Sequence, residues 1–178
     1  MFTSRVLLII LALAVFSPGA TAQEEEPPLV TRDRIQLNLA GAETVLEAAK
    51  EKAAAMGLKV NIAIVDDGGH LLAFARMDGA RPASGSTALT EAVSAATFRQ
   101  DTGPLPAKGE PDLLLSLSLQ SAALASGGKL TSLKGGVPIT VDGQVVGAIG
   151  VGGGTGDQDV EVAKAGIAAL LMALAPTQ

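Results

Sequence analysis

Few residues in this chain of 178 can do acid–base, nucleophilic or metal chemistry. His70 is the single imidazole, and the sequence holds no thiol, phenol or indole. An imidazole on a strand can be an axial ligand to haem iron or to another metal, or a general acid or base. It can equally be an exposed residue hydrogen-bonded to the adjoining turn. Asp66, Asp67 and Asp78 lie near Arg76 in the sequence, and carboxylates clustered beside an arginine could act on an organic acid or carbonyl compound. Arg76, Asp78 and Arg81 read either as a surface ion pair or as a clamp for a carboxylate.

Other patterns are weaker. Gly150 to Gly156 follows an apolar run and leads into a helical pattern, the place where backbone N–H groups can hold a phosphate or propionate. It lacks G-x-x-x-x-G-K-[ST] and an in-register G-x-G-x-x-G, and a tight strand-to-helix turn capped by Asp157 accounts for it equally well. Asp157, Asp159 and Glu161 alternate as in a calcium loop, but the required Gly and final Glu are missing; at a helix start they complement the dipole. Ser84 and Ser86 have no base partner on their own element, so the sequence does not assemble a Ser-His-Asp triad.

Composition removes whole classes. Zero Cys excludes a disulfide scaffold, a thiol enzyme and a Cys-rich zinc module, and one His excludes sites needing two imidazoles. With 13 basic and 18 acidic residues the net charge is −5, and no basic patch or stacking ring offers a nucleic-acid surface. Arg5, the apolar run Val6 to Phe16, and then Ala20-Thr21-Ala22 predict a signal peptide over 1–22, with an uncleaved anchor as the alternative. Cleavage would leave a periplasmic or secreted chain with no stable membrane insertion, and with Phe74 and Phe98 as its only aromatics.

These residues need elements to position them. Residues 23–30 carry acids and Pro27-Pro28 and read as a flexible lead-in, with one domain over 31–178. Thr31 is an apparent N-cap for a helix whose stripe runs Ile35, Leu39, Ala42, Leu46, Ala49, Ala53, Met56 and stops at Gly57. Leu58 to Val65 and His70 to Met77 alternate as strands around Asp66-Asp67-Gly68-Gly69, which would put His70, Leu72, Phe74 and Arg76 on one face. Ser84 or Ser86 would cap a second helix, and Pro111 would open a third that ends at Gly127-Gly128. Val137 to Val141, Asp142-Gly143 and Gln144 to Val151 make a hairpin apolar enough for the sheet centre. A last helix runs to about Ala173. Helix, hairpin, helices, hairpin, helix is an α+β order with mainly antiparallel pairing.

Three strings, read together, carry a resemblance: Ile62-Ala63-Ile64-Val65-Asp66, then Gly68-Gly69-His70-Leu71-Leu72-Ala73, then Arg76-Met77-Asp78-Gly79-Ala80. The later half agrees through Gly135-Gly136-Val137-Pro138-Ile139, Asp142 to Val151, and Asp159 with Ala163 and Ala165-Gly166. From about Leu37 to Leu170 the sequence resembles the GlcG/HbpS-like family, the haem-degrading domain family that also forms the carboxy-terminal domain of PduO proteins. The resemblance implies a single α+β domain of profilin-like or PAS-like form, with about five mainly antiparallel strands flanked by helices, assembling into homo-oligomers. It also implies a tetrapyrrole ligand, haem first and a corrinoid second. His70 would then be the iron ligand, Phe74 would pack on the macrocycle, Arg76 or Arg81 would pair with propionates, and Gly153 and Gly154 would lie in the binding loop. Three positions depart from the family pattern: Glu91 where many relatives have Lys, Gly152 where Ser is frequent, and Val160 where an acid is common.

Three functions follow as expectations: an exported haem-binding domain, a small carboxylate enzyme built on Asp66, Asp67 and Asp78, or an oligomeric accessory of an exported redox system with no ligand.

Overall fold

The computed structural model describes residues 30–106 and 109–175. The expected signal peptide lies outside the described residues, as does the lead-in apart from Val30. From residue 34 on, the described residues form one compact unit, ordered α1 (Leu39–Ala55), β1 (Asn61–Asp66), β2 (Leu71–Arg76), α2 (Ala83–Phe98), α3 (Leu113–Ala125), β3 (Gly136–Val141), β4 (Gln144–Gly152) and α4 (Gly156–Leu174). The α+β class and antiparallel pairing hold. Among the described residues the sheet has four strands rather than about five, in the order β2-β1-β4-β3.

Three layers result. β1 is buried on both faces: Ile62 and Ile64 join Val45, Ala49, Ile149, Val151 and Val162 under α1 and α4, while Ala63 and Val65 join Ala88, Ala92, Ala95 and Ala148 under α2. A core with no large ring must close by bringing backbones together. On the α2 face it does: a Cβ on Gly150 would stand 2.0 Å from the carbonyl oxygen of Ala88, so α2 almost touches the sheet there. On the other face a Cβ on Gly166 of α4 would meet the carbonyl oxygen of Val45 in α1 at 2.5 Å.

Several boundaries differ from expectation, each for a local reason. α1 begins at Leu39, not near Thr31, because Asn38 caps it by accepting from Gly41 N at 2.9 Å; Ile35 reaches the core from the segment before the helix, which mimics helical spacing. Gly57 follows the helix with φ +69°, as a C′ glycine should. α2 starts at Ala83 with Pro82 at its N-cap and no side-chain cap, so neither Ser84 nor Ser86 plays that role. Asp112, one residue beyond Pro111, caps α3 through Leu115 N. α4 is capped by Thr155 in a reciprocal box with Gln158, not by Asp157. The Asp142-Gly143 turn has both φ positive, +47° and +76°, as type I′ requires. Yet only β4 of that hairpin is central; β3 is an edge strand, and its Pro138 lacks the N–H that an interior strand would need.

Candidate functional site

The two ends of the sheet hold different chemistry. At the β1–β2 turn, Asp66 ends β1 and its Oδ1 accepts from the backbone N–H of Gly68 at 2.9 Å and of His70 at 2.8 Å. The imidazole Nδ1 lies 3.2 and 3.1 Å from the two carboxylate oxygens of the same Asp66. A carboxylate only accepts, so Nδ1 carries the proton and Nε2 keeps its free lone pair. The His70 side chain is 83% exposed. Partial burial acts to raise the Asp66 pKa, but the His70 and Gly68 hydrogen bonds and the nearby imidazole outweigh it and hold the carboxyl below its usual range. An imidazole fixed through Nδ1 by a carboxylate, with Nε2 outward, is the arrangement that orients metal-binding histidines.

The expected face of His70, Leu72, Phe74 and Arg76 is broken. The register shifts at Ile64/Val65, where Leu71 rather than Leu72 opposes Val65. Leu72 then packs on the α1/α4 core with Ala73 and Ala75, while Phe74 pairs with Ala63 and lies beside Gly85 of α2. Leu71 and Phe74 are both exposed apolar residues on this edge strand.

At the opposite end, Asn61 of β1 pairs with Arg76 and with Gly152. Five residue steps along β1 separate Asn61 from Asp66, about 17 Å, so Arg76, Arg81, Gly153 and Gly154 are not grouped with His70. Arg81 donates from Nε to Ser84 Oγ at 2.9 Å, and its carbonyl accepts from Asn61 Nδ2 at 3.0 Å. The glycine turn is satisfied from within: Gly154 N donates to Asp159 Oδ1 at 2.9 Å, Gly153 N–H also serves Asp159, and Thr155 N goes to Gln158. An internal carboxylate therefore sits where the sequence allowed either an external anion or a tight turn.

Sequence reasoning noted Glu91 only as a departure from a family pattern. It is one of the most buried polar residues, 2% exposed. Burial first, and the charge of Asp159 second, push its carboxyl up to about 8. Burial also raises Asp159, against the pull of Gly154, Gly153 and Arg81. Glu91 Oε2 and Asn61 Oδ1 are buried without a hydrogen-bond partner. The signal available in sequence was an acid on the alanine face of α2, among Ala88, Ala92 and Ala95. The other two departures are milder. Gly152 is buried with room for a Cβ only 3.0 Å from Ser84 O, and Val160 packs at the edge of the α1/α4 core.

The carboxylate-enzyme constellation does not assemble. Asp66 is taken by His70 and Asp67 by Arg34, whereas Asp78 follows β2 at the other end of the sheet. Separately, an apolar groove of about 410 Å³ lies between α2, α3 and the 100–106 segment, lined by Phe98, Leu105, Leu115, Leu119 and others. It contains none of the expected site residues. Among the described residues no group of three or more His, Cys, Asp and Glu side chains could hold a metal ion.

Comparison with known proteins bears on this geometry. The family model described as haem degrading protein HbpS-like matches residues 37–168. The chain belongs to the HbpS-like family. This HbpS-like chain is 40% identical over 120 residues to Protein GlcG of Escherichia coli (strain K12), covering 67% of this chain and 84% of GlcG. Its fold is similar to a double mutant of HbpS from Streptomyces reticuli, with TM-score 0.64 and 32% identity over 82% of this chain and 97% of that one. It is also similar in fold to the PduOC:Heme complex, with TM-score 0.61 and 23% identity over 76% and 95% of the two chains.

Proposed function

We propose that this HbpS-like chain is an exported haem-binding protein that works as a homo-oligomer, with His70 as the iron ligand. The family match over residues 37–168 carries the ligand class. The His70–Asp66 pair supplies a chemically suitable donor: Nδ1 is held, Nε2 is presented, and the ring is exposed. Leu71 and Phe74 give β2, the edge strand that follows His70, an apolar surface for a macrocycle. Bound haem would supply an iron centre; the chain's own part is to orient the imidazole and shield one side of the ring. Arg76 and Arg81 stand about a strand length away, so His70 and Asp66 carry the assignment within one protomer. The corrinoid expected alongside haem draws no support from the relatives. Export rests on residues 1–22, and no helix among the described residues is long and apolar enough to cross a membrane.

Titration of the purified protein with hemin tests this. The expected result is a saturable Soret band that shifts or weakens in His70→Ala. No saturable change overturns the haem reading; an unchanged bound spectrum in His70→Ala overturns the ligand. Amino-terminal sequencing of the exported protein is expected to begin at Gln23, and retention of Met1 would remove the cleavage reading.

A further inference from the structure

We infer that the outer face of α3 is the docking surface for a second copy of this chain. This deepens the homo-oligomer reading above and rests on it. α3 reads Leu-Leu-Leu-Ser-Leu-Ser-Leu-Gln-Ser-Ala-Ala-Leu-Ala, and only Leu119 of it is buried. A helix of about this length is marginal by itself in water, because nucleation costs more than a few turns return. Packing must therefore hold α3, and among the described residues little does. Its inner stripe of Leu115, Leu119 and Ala122 lines the groove against α2 and the 100–106 segment. The rest looks outward: Leu113, Leu114, Leu117 and Leu124 are 73%, 75%, 48% and 83% exposed. Single exposed leucines are ordinary, but several on one short helix form a patch of the kind that marks an interface.

The pattern of that face selects the occupant. Leu113, Leu117, Gln120 and Leu124 recur at spacings of four, three and four, which aligns them along one line of the helix. That is the spacing of a two-helix seam, with Gln120 as a single polar position of the sort that fixes register. A two-fold pairing lets each α3 offer its leucines to the other, so the surface is its own complement. No charged residue lies between Leu113 and Gly128, so α3 gives a charged partner nothing to pair with. Helices that lie on lipid surfaces carry Lys or Arg on the polar face, whereas the polar positions here are Ser116, Ser118 and Ser121, preceded by Asp112. A helix about 20 Å long supplies only part of the ~800 Å² per partner that a stable dimer buries. Phe98, 44% exposed and lining the adjoining groove with Leu115, extends the patch beyond α3.

The test is the native mass of the full chain by light scattering across a concentration series, for wild type, Leu117→Asp, Leu124→Asp and the milder Leu117→Ser. Met172→Asp, at a 72% exposed position on α4, is the control. The expected result is an assembled wild type and control, with association weakened at least tenfold in each α3 variant while far-UV circular dichroism retains the sheet and the other helices. An assembly that survives Leu117→Asp and Leu124→Asp overturns the α3 interface and leaves the oligomer reading intact. A monomeric wild type overturns both. A monomeric wild type that binds neutral phosphatidylcholine vesicles through α3 would make lipid the occupant and likewise overturn the inference.

Discussion

Glu91→Gln should change how the stability of this protein responds to pH. Glu91 is buried on the face of α2 that meets the sheet, and desolvation together with Asp159 raises its carboxyl from 4.5 to about 8. At about 1.4 kcal/mol per pKa unit, that displacement sets a ceiling of about 5 kcal/mol on the linkage. The folded chain keeps a proton that the unfolded chain has already released. Its contribution is therefore complete below about pH 4.5, declines as pH rises, and is exhausted above about pH 8. Asp159, also raised by burial, adds in the same direction. Asp66 has the opposite sign, but its effect falls below its unfolded value of 3.8, outside this window. Against a total stability of ~5–15 kcal/mol, even half the ceiling is a large share. Urea unfolding followed by far-UV circular dichroism, at one protein concentration, reads it in a chain without Trp or Tyr. The wild-type free energy should fall by a few kcal/mol from about pH 5 to about pH 8.5. Glu91→Gln, which cannot ionise, should be much flatter and should exceed wild type at the alkaline end. Parallel profiles for the two proteins would refute the claim that Glu91 carries the proton.

Three further outcomes follow from the packing and the two polar ends. Gly150→Ala should destabilise the protein by about 3 kcal/mol or more, since its Cβ meets the Ala88 carbonyl at 2.0 Å; thermal denaturation measures this, and an unchanged midpoint would contradict the α2–sheet contact. Asp159→Ala should cost about 2–3 kcal/mol by stranding the Gly153 and Gly154 N–H groups, read by urea unfolding at pH 7. Asp66→Ala should free the His70 ring and also release the Gly68 and His70 backbone N–H groups of the turn, weakening hemin affinity about 10–100-fold; equal affinity in the spectral titration would show that the Asp66 carboxylate is immaterial to the ligand.

Where local signals acted alone, they were legible. Gly57, Asp142-Gly143 and Gly127-Gly128 punctuate the chain as their backbone freedom dictates, and the alternation of Ile62 and Ile64 identifies β1. Where two signals competed, the stronger cap decided. Asn38 ended an apolar period that continued back to Ile35, and Thr155 with Gln158 displaced Asp157. The register shift at Ile64/Val65 was illegible, because a bulge is set by pairing partners distant in sequence and it alters which side chains share a face.

By itself the sequence determined the α+β class, the hairpin turns, the lone imidazole and the exclusion of thiol and multi-histidine chemistry, because these depend on residue type and on neighbours a few positions away. Only the tertiary structure decided what each polar residue is for. Strand length carried His70 and Arg81 to opposite ends of the sheet, Asp159 folded back onto the glycine turn that looked open to an anion, and the close approach of α2 buried Glu91. Burial and partner choice are properties of segments brought together across the chain, and the spacing of residues along it does not encode them.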